Sequence, residues 1–216
     1  MEDTTMLSGF NTVLVLAPHT DDGELGCGGL IHQLCLLGKR VIYVAFSICE
    51  ESVPEGFDKE ILAVEVKNAT AKLGILSEDL LIKRYKVRLF SDSRQAILED
   101  LVALNRAFSP DLVLCPSSYD IHQDHQVINR EAIRAFKRTS IWGYDFIWNN
   151  FESKASCFVS LTEDNITAKI NSLKEYKSQG FRTYTSEESI RTMASYSGLQ
   201  VGEKYVEPFE IMRLKV

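Results

Sequence analysis

The sequence predicts an α/β fold: a three-layer αβα sandwich around a largely parallel, Rossmann-like sheet, with additional C-terminal strands. Three observations predict it. Short apolar, β-branched runs alternate with segments whose apolar residues recur at helical spacing. The first run, Thr12 to Leu16, is joined to the second, Arg40 to Ser47, by a helical pattern, giving a βαβ unit with a parallel pair and a right-handed crossover. Polar loops rich in His and Asp follow two of the predicted strands, where open α/β sheets carry their active sites.

In chain order, Thr12 to Leu16 reads as a buried strand that runs into His19, Asp21, Asp22 and Glu24 and then the glycines Gly26, Gly28 and Gly29. From Gly28 to Leu37 the residues Leu30, Ile31, Leu34 and Leu37 share a helical face, and Gly38 is a natural stop. After the second strand, Ile48 to Gly56 is a polar loop containing Pro54, and Phe57 to Leu73 is helical up to Gly74. Leu80 to Leu89 reads as a strand. Asp92 or Ser93 caps a helix through Ala107, which Ser109-Pro110 breaks. Asp111 to Cys115 is a short buried strand, Pro116 to Gln126 a second polar loop, and about His125 to Lys137 a helix. Ile141 to Trp148 and Ala155 to Leu161 read as strands. Thr162 or Asp164 caps a helix through Lys177, and Ser186 caps another. Tyr205 to Val216 closes the sheet as an edge or bulged strand, because Pro208 cannot donate to a ladder. No repeat or linker interrupts the 216 residues, so one domain spanning 1–216 is expected.

Composition narrows the function classes. A hydrophobic fraction of 45% with 25% charged residues is that of a soluble globular protein, and a net charge of -6 gives no basic footprint for nucleic acid. Five scattered cysteines without a CxxC pair read as reduced thiols, and with no apolar leader or bilayer-length run the expected location is the cytoplasm.

Three of the four histidines fall in the two strand-end clusters. His19 and Asp22 in the first, with His122, Asp124 and His125 in the second, offer two histidines and a carboxylate, the ligand set of a catalytic zinc site with open positions. Spacing alone does not choose between His122 and His125. Asp21, beside Asp22, supplies the free carboxylate that metal-assisted hydrolysis needs as general base. Taken singly, an Asp-Asp after a strand is as consistent with a solvated loop or a helix cap; both clusters at strand ends in one domain favour chemistry. His32 lies in an apolar helical pattern and reads as structural. The glycines do not follow G-x-G-x-x-G and have acids where a pyrophosphate would bind, so a dinucleotide cofactor is discounted. Gly28 and Gly29 are expected to permit close helix–strand packing, and Glu24 to hydrogen-bond a ligand histidine or cap the helix.

The motifs PHTDDGELGCGG and DIHQDH, continuing through DLVLCPSSYDIHQDH, KINSLKEYKSQ and YVEPFEIMR, resemble the PIG-L/LmbE-like family of zinc-dependent de-N-acetylases. The resemblance implies an enzyme that removes N-acetyl groups from GlcNAc-type amino sugars, lipid- or nucleotide-linked among them. It implies His19, Asp22 and His125 as metal ligands, Asp21 as general base, and His122 as the group that stabilises the oxyanion or protonates the leaving amine, oriented by Asp124. It also implies a small-molecule partner and a possible homo-oligomer. Zinc is the expected metal, though such a ligand set also accepts iron or cobalt. A zinc amidase or esterase of another acyl conjugate, or a silent sugar-binding homologue, is the alternative.

Some residues depart from the family pattern. Thr20 stands where proline is frequent, Gly23 where an acid is, and Gln123 where proline is common. SYSG, ending at Gly198, lacks an arginine that many sugar-processing relatives have before the glycine, which weakens the substrate inference. Arg88, at the end of the KVRLF strand, and the cluster of Trp148 and Asn149 beside Asn150 are candidate substrate contacts. Their alternatives are a surface ion pair and core packing.

Overall fold

The computed structural model describes residues 5–215. After a short helix, α1 (Thr5–Ser8), the chain runs β1 (Thr12–Ala17), α2 (Asp22–Leu36), β2 (Arg40–Ala45), α3 (Ile61–Lys72), β3 (Leu80–Ile82), α4 (Arg94–Phe108), β4 (Leu112–Pro116), α5 (Gln123–Ala135), β5 (Ser140–Tyr144), β6 (Cys157–Ser160), α6 (Glu163–Leu173), α7 (Glu187–Leu199) and β7 (Val206–Arg213).

The seven strands form one sheet in the order β3-β2-β1-β4-β5-β7-β6. The first five are mutually parallel, and β7 runs antiparallel between β5 and β6. Val13 and Val15 face one apolar layer with Leu30 and Leu34 of α2, Val66 of α3 and Ile166 of α6. Leu14 and Leu16 face the other, with Ile97 and Leu101 of α4 and Ile128 of α5. Residues Val13 to Ala17 are wholly buried, as a central strand covered on both faces requires. The expected three-layer α/β fold is therefore present.

This strand order places a site. From β1 the chain winds outward through β2 to β3, then returns to β4 on the other side of β1. The loops leaving β1 and β4 diverge there, opening a crevice at the carboxyl ends of the two strands. Those loops hold the two His/Asp clusters.

Helix α3 begins at Ile61 and α6 ends at Leu173, each four residues short of the sequence reading, and four further elements differ in ways that bear on the site. Helix α2 begins at Asp22, not Gly28, and absorbs the glycine-rich stretch, with one non-helical residue at Cys27 (φ -145°). The break leaves the N–H groups of Gly29 and Leu30 to donate to Glu207 of β7, at 2.8 and 2.7 Å, and Lys169 pairs with the same carboxylate. The glycines are there for contact: a Cβ on Gly26 would lie 2.4 Å from the Tyr144 ring, and one on Gly29 2.5 Å from Leu161.

The predicted strand Leu80 to Leu89 keeps only Leu80–Ile82, because the chain then turns into the crevice. Strand β5 stops at Tyr144, so Trp148 lies in the loop beyond it. Strand β7 is interior, not an edge, and its one register shift lies between its Ile211 and Arg213, opposite Ile141 and Trp142, not at Pro208. Pro208 pairs with Phe158 and lies one residue past the last β5 pair, Phe209 with Tyr144, so its missing N–H interrupts no bond to β5.

Candidate metal and active site

His19 follows β1, and Asp22 opens α2 three residues later; the His19 N–H donates to Asp22 Oδ2 at 2.8 Å. His125 enters from the first turn of α5. Three atoms meet in the crevice: His19 Nδ1 and Asp22 Oδ2 are 3.1 Å apart, His125 Nε2 and Asp22 Oδ2 3.2 Å, and His125 Nε2 and His19 Nδ1 3.3 Å. Zinc bonds of roughly 2.0–2.1 Å at a tetrahedral angle put neighbouring ligand atoms about 3.3–3.4 Å apart. The observed triangle therefore fits one face of such a polyhedron. A wider grouping, with one ligand atom each from His19, His122 and His125 within 4.8 Å of one another, contains the same two histidines.

Each of the two histidines is held from behind by a carboxylate. His125 Nδ1 lies 2.7 Å from Asp120 Oδ2, and His19 Nε2 lies 3.1 Å from Asp124 Oδ2. A proton on each outer nitrogen leaves the inner nitrogen as a lone pair directed at the triangle, the arrangement typical of metal-binding histidines. Electrostatics agree that this point favours positive charge. Burial alone would lower the His125 pKa, but Asp22 and Asp120 outweigh it and hold the imidazole at about 10. His19 is raised in the same way by Asp22 and Asp124 against its own burial. The two histidines in turn hold Asp22 well below the usual carboxylate range, although burial opposes it.

Asp124 does not orient His122, as the family resemblance implied. Its carboxylate faces His19 and accepts the backbone N–H groups of Arg88, at 2.6 Å, and Phe90, at 3.3 Å. It meets His122 through its own N–H, which donates to His122 Nδ1 at 3.2 Å, so His122 is the N-cap of α5. Because Nδ1 accepts, the neutral ring carries its proton on Nε2. Burial, with the nearby His125 and His19, lowers the His122 pKa to about 4.

Asp21 precedes α2 but makes no capping bond, so the helix-cap alternative fails for it. Burial and the adjacent Asp22 raise its carboxyl pKa, against the pull of Arg182.

Glu24 touches no histidine, and it is not a cap. It sits beneath the His19–Asp22 turn with Tyr43 and Tyr176. Both hydroxyls approach the Thr20 carbonyl, at 2.8 and 2.6 Å, and both contact the Glu24 carboxyl group. Two tyrosine protons cannot fill four such contacts, and a proton on Glu24 supplies a third. Burial raises its pKa to about 8, in accord with that count.

A cavity of about 280 Å³ opens above the triangle, with His19, Asp21, Asp22, His122 and His125 in its wall. Arg88 lines it from a loop, not a strand end, in the left-handed region (φ 68°), and its Nη2 donates to Ser52 Oγ at 3.2 Å. Trp148 lines it too, stacked between Phe146 (5.1 Å) and Tyr184 (4.3 Å). Asn149 lines it as well; its Nδ2 donates to the Asp120 carboxylate at 3.5 Å, and its carbonyl accepts from Ile121 N–H. His32 bonds Asn165 instead of reaching the site, and Ser197, before Gly198, does not line the cavity.

Three residues were missed. Asp120 had a signal: it opens the DIHQDH motif, five residues before the histidine it supports. Arg182 and Tyr184 had none, since only the path of the chain after α6 brings them to the wall.

A family model described as PIG-L, GlcNAc-PI de-N-acetylase, matches residues 14–136. A diacetylchitobiose deacetylase of Thermococcus kodakarensis is 25% identical over 222 residues, covering 90% of this chain and 80% of that protein. Among solved structures, the conserved protein TT1542 of Thermus thermophilus superposes with a TM-score of 0.80 at 26% identity, covering 94% of this chain and 96% of the other. The N,N'-diacetylchitobiose deacetylase of Pyrococcus horikoshii shares the fold, with a TM-score of 0.78 at 22% identity over 98% and 87% of the two chains.

Proposed function

Because the chain belongs to the PIG-L de-N-acetylase family, we propose that it is a zinc-dependent hydrolase that removes the N-acetyl group from a GlcNAc-type amino sugar or its conjugate, releasing acetate. The observation that carries this reading is the triangle of His19 Nδ1, Asp22 Oδ2 and His125 Nε2, with Asp120 and Asp124 behind the two rings. These three residues would hold the ion, which when bound supplies Lewis acidity to an amide carbonyl and to water.

The remaining steps belong to the protein. Asp21, free of any capping duty, takes the proton of the attacking water; its raised pKa makes it a stronger base than an exposed aspartate. His122 presents Nε2–H to the oxyanion that forms on the carbonyl oxygen as water adds to the carbon. A neutral His122 donates a hydrogen bond and does not act as the acid, so the proton held by Asp21 passes to the leaving amine as the C–N bond breaks. Arg88, Trp148 and Asn149, on the cavity wall, are the proposed substrate contacts, and Asn149 also donates to Asp120.

A cytoplasmic location agrees with five free cysteines. No helix among the described residues is long and apolar enough to cross a membrane.

The test is metal analysis of the wild type and His125→Ala, with acetate release from a panel of N-acetylated sugars and nucleotide sugars. Near-stoichiometric zinc that His125→Ala loses, with acetate released and turnover reduced by a factor of about 10² to 10⁴ in Asp21→Asn, is the expected result. A metal-free wild type overturns the reading, and release of a larger acyl group in place of acetate moves it to another amide or ester.

A further inference from the structure

Part of the cavity wall comes from the segments that follow β2 and β3. Beyond β3 the chain stays beside β2, where the N–H groups of Lys83 and Tyr85 donate to the Ala45 and Phe46 carbonyls at 2.7 and 2.9 Å. Alternate residues of this extended strap then meet consecutive residues of the turn after β2. Arg84 lies 3.7 Å from Glu50, Lys86 lies 3.6 Å from Glu51, and Arg88 Nη2 donates to Ser52 Oγ at 3.2 Å. Strap and turn are thereby aligned as one unit, which brings Cys49, Ser52, Val87 and Arg88 to the cavity. The strap is anchored at its start, where Tyr85 and Lys83 reach Asp100 of α4 at 2.7 and 3.0 Å, and at its end, where Phe90 is wholly buried.

Between those anchors it is held at Asp124. That carboxylate is fully buried and its Oδ2 is shared: it accepts the Arg88 N–H at 2.6 Å and faces His19 Nε2 at 3.1 Å, while Oδ1 accepts the Phe90 N–H at 3.3 Å. Reaching it puts Arg88 in the left-handed region, at φ 68°, which a residue with a Cβ occupies only when its surroundings hold it there. The strain is opposed by hydrogen bonds to a carboxylate whose other partner is a proposed metal ligand. An imidazole whose Nδ1 lone pair is engaged by a cation is a stronger donor from Nε2, and fixes the carboxylate behind it more firmly.

We propose that Asp124 is a positioning residue that couples metal binding at His19 to the order of this wall. With the ion in place the strap is latched, Arg88 is strained, and Val87 and Arg88 are presented to the cavity; without it the strap relaxes. The proposal rests on the reading of His19 as a metal ligand. Coupling is reciprocal, so whatever makes the left-handed turn at position 88 easier must also tighten metal binding.

The experiment uses the full chain, stripped of metal and then titrated with zinc, as wild type, Asp124→Asn, Arg88→Gly and Arg88→Ala. The readouts are amide hydrogen exchange at positions 88 and 90 and zinc affinity by chelator competition, and neither needs a substrate. In wild type, zinc is expected to slow exchange at both amides by about tenfold or more, with no comparable change in α7. In Asp124→Asn that zinc-dependent slowing is lost. Arg88→Gly and Arg88→Ala both remove the guanidinium and differ in the cost of the left-handed turn. Zinc is therefore expected to bind the glycine variant about fivefold to tenfold more tightly than the alanine variant, the lower part of what a Cβ costs in that region. Zinc bound by wild type with no change in exchange at positions 88 and 90 overturns the coupling and leaves the metal reading standing. Equal zinc affinities for the two Arg88 variants overturn it as well, and this comparison holds even if Asp124→Asn does not fold. A wild type that binds no zinc removes the metal reading and the coupling with it.

Discussion

Asp120 Oδ2 lies 2.7 Å from His125 Nδ1, while the other oxygen of the same carboxylate accepts the His122 N–H at 2.8 Å. One buried side chain therefore sets the tautomer of a proposed ligand and the backbone of the α5 N-cap together.

Replacement of Asp120 by asparagine is expected to weaken metal affinity by roughly tenfold to a hundredfold, the usual cost of losing a carboxylate behind a ligand histidine. Chelator competition measures it. An affinity equal to that of wild type would detach Asp120 from the metal site.

Glu24 gives the protein a pH dependence of defined sign. Its pKa is raised from 4.5 to about 8 in the folded state, so the folded chain holds a proton that the unfolded chain releases. The stabilising contribution is full below about pH 4.5 and is lost as pH rises towards 8. A shift of this size corresponds to a loss on the order of 5 kcal/mol across that window. Glu24→Gln removes it, so the variant gains stability relative to wild type between these values. Denaturant unfolding in the presence of chelator, which keeps metal binding from adding its own pH dependence, measures the difference. A difference that does not change with pH would mean Glu24 is ionised in the fold.

Gly26→Ala tests whether the α2 glycines are there for contact. The added methyl meets Tyr144, whose hydroxyl is tied to the Leu16 carbonyl at 2.8 Å and leaves the ring little room to move. A loss of about 1–3 kcal/mol is expected, a fall in Tm of roughly 3 to 10 °C for a domain of this size. Calorimetry showing no change would mean that the ring yields freely.

Trp148→Ala removes the middle ring of the Phe146–Trp148–Tyr184 stack. Steady-state kinetics should show KM up by about three- to tenfold, with kcat falling less. A loss confined to kcat would place Trp148 outside substrate binding.

The chemistry was more legible in the sequence than the shape around it. Wholly apolar Val13 to Leu16 could only be a central strand, and two His/Asp clusters at strand ends could only converge if those strands were neighbours, as β1 and β4 are. Local signals failed where a distant partner decides. The glycines of α2 look like a turn by propensity, yet Tyr43, Tyr144 and Leu161 need their bare backbone at a helix surface. Nothing near Pro208 says that β5 will stop one pair short of it. The family resemblance implied Asp124 as the partner of His122, but the helical turn carries the carboxylate towards His19.

The break in α2 at Cys27 also bears on the order in which the molecule can be completed. The carboxylate that receives the freed N–H of Gly29 belongs to Glu207, 178 residues further along the chain. Until β7 is in the sheet, the N–H groups freed at the break have no carboxylate to receive them. A chain in which only the first strands have assembled has the two early candidate ligands, His19 and Asp22, but not the carboxylate that seats their helix. The candidate metal site should therefore reach its full affinity only once β7 has joined the sheet.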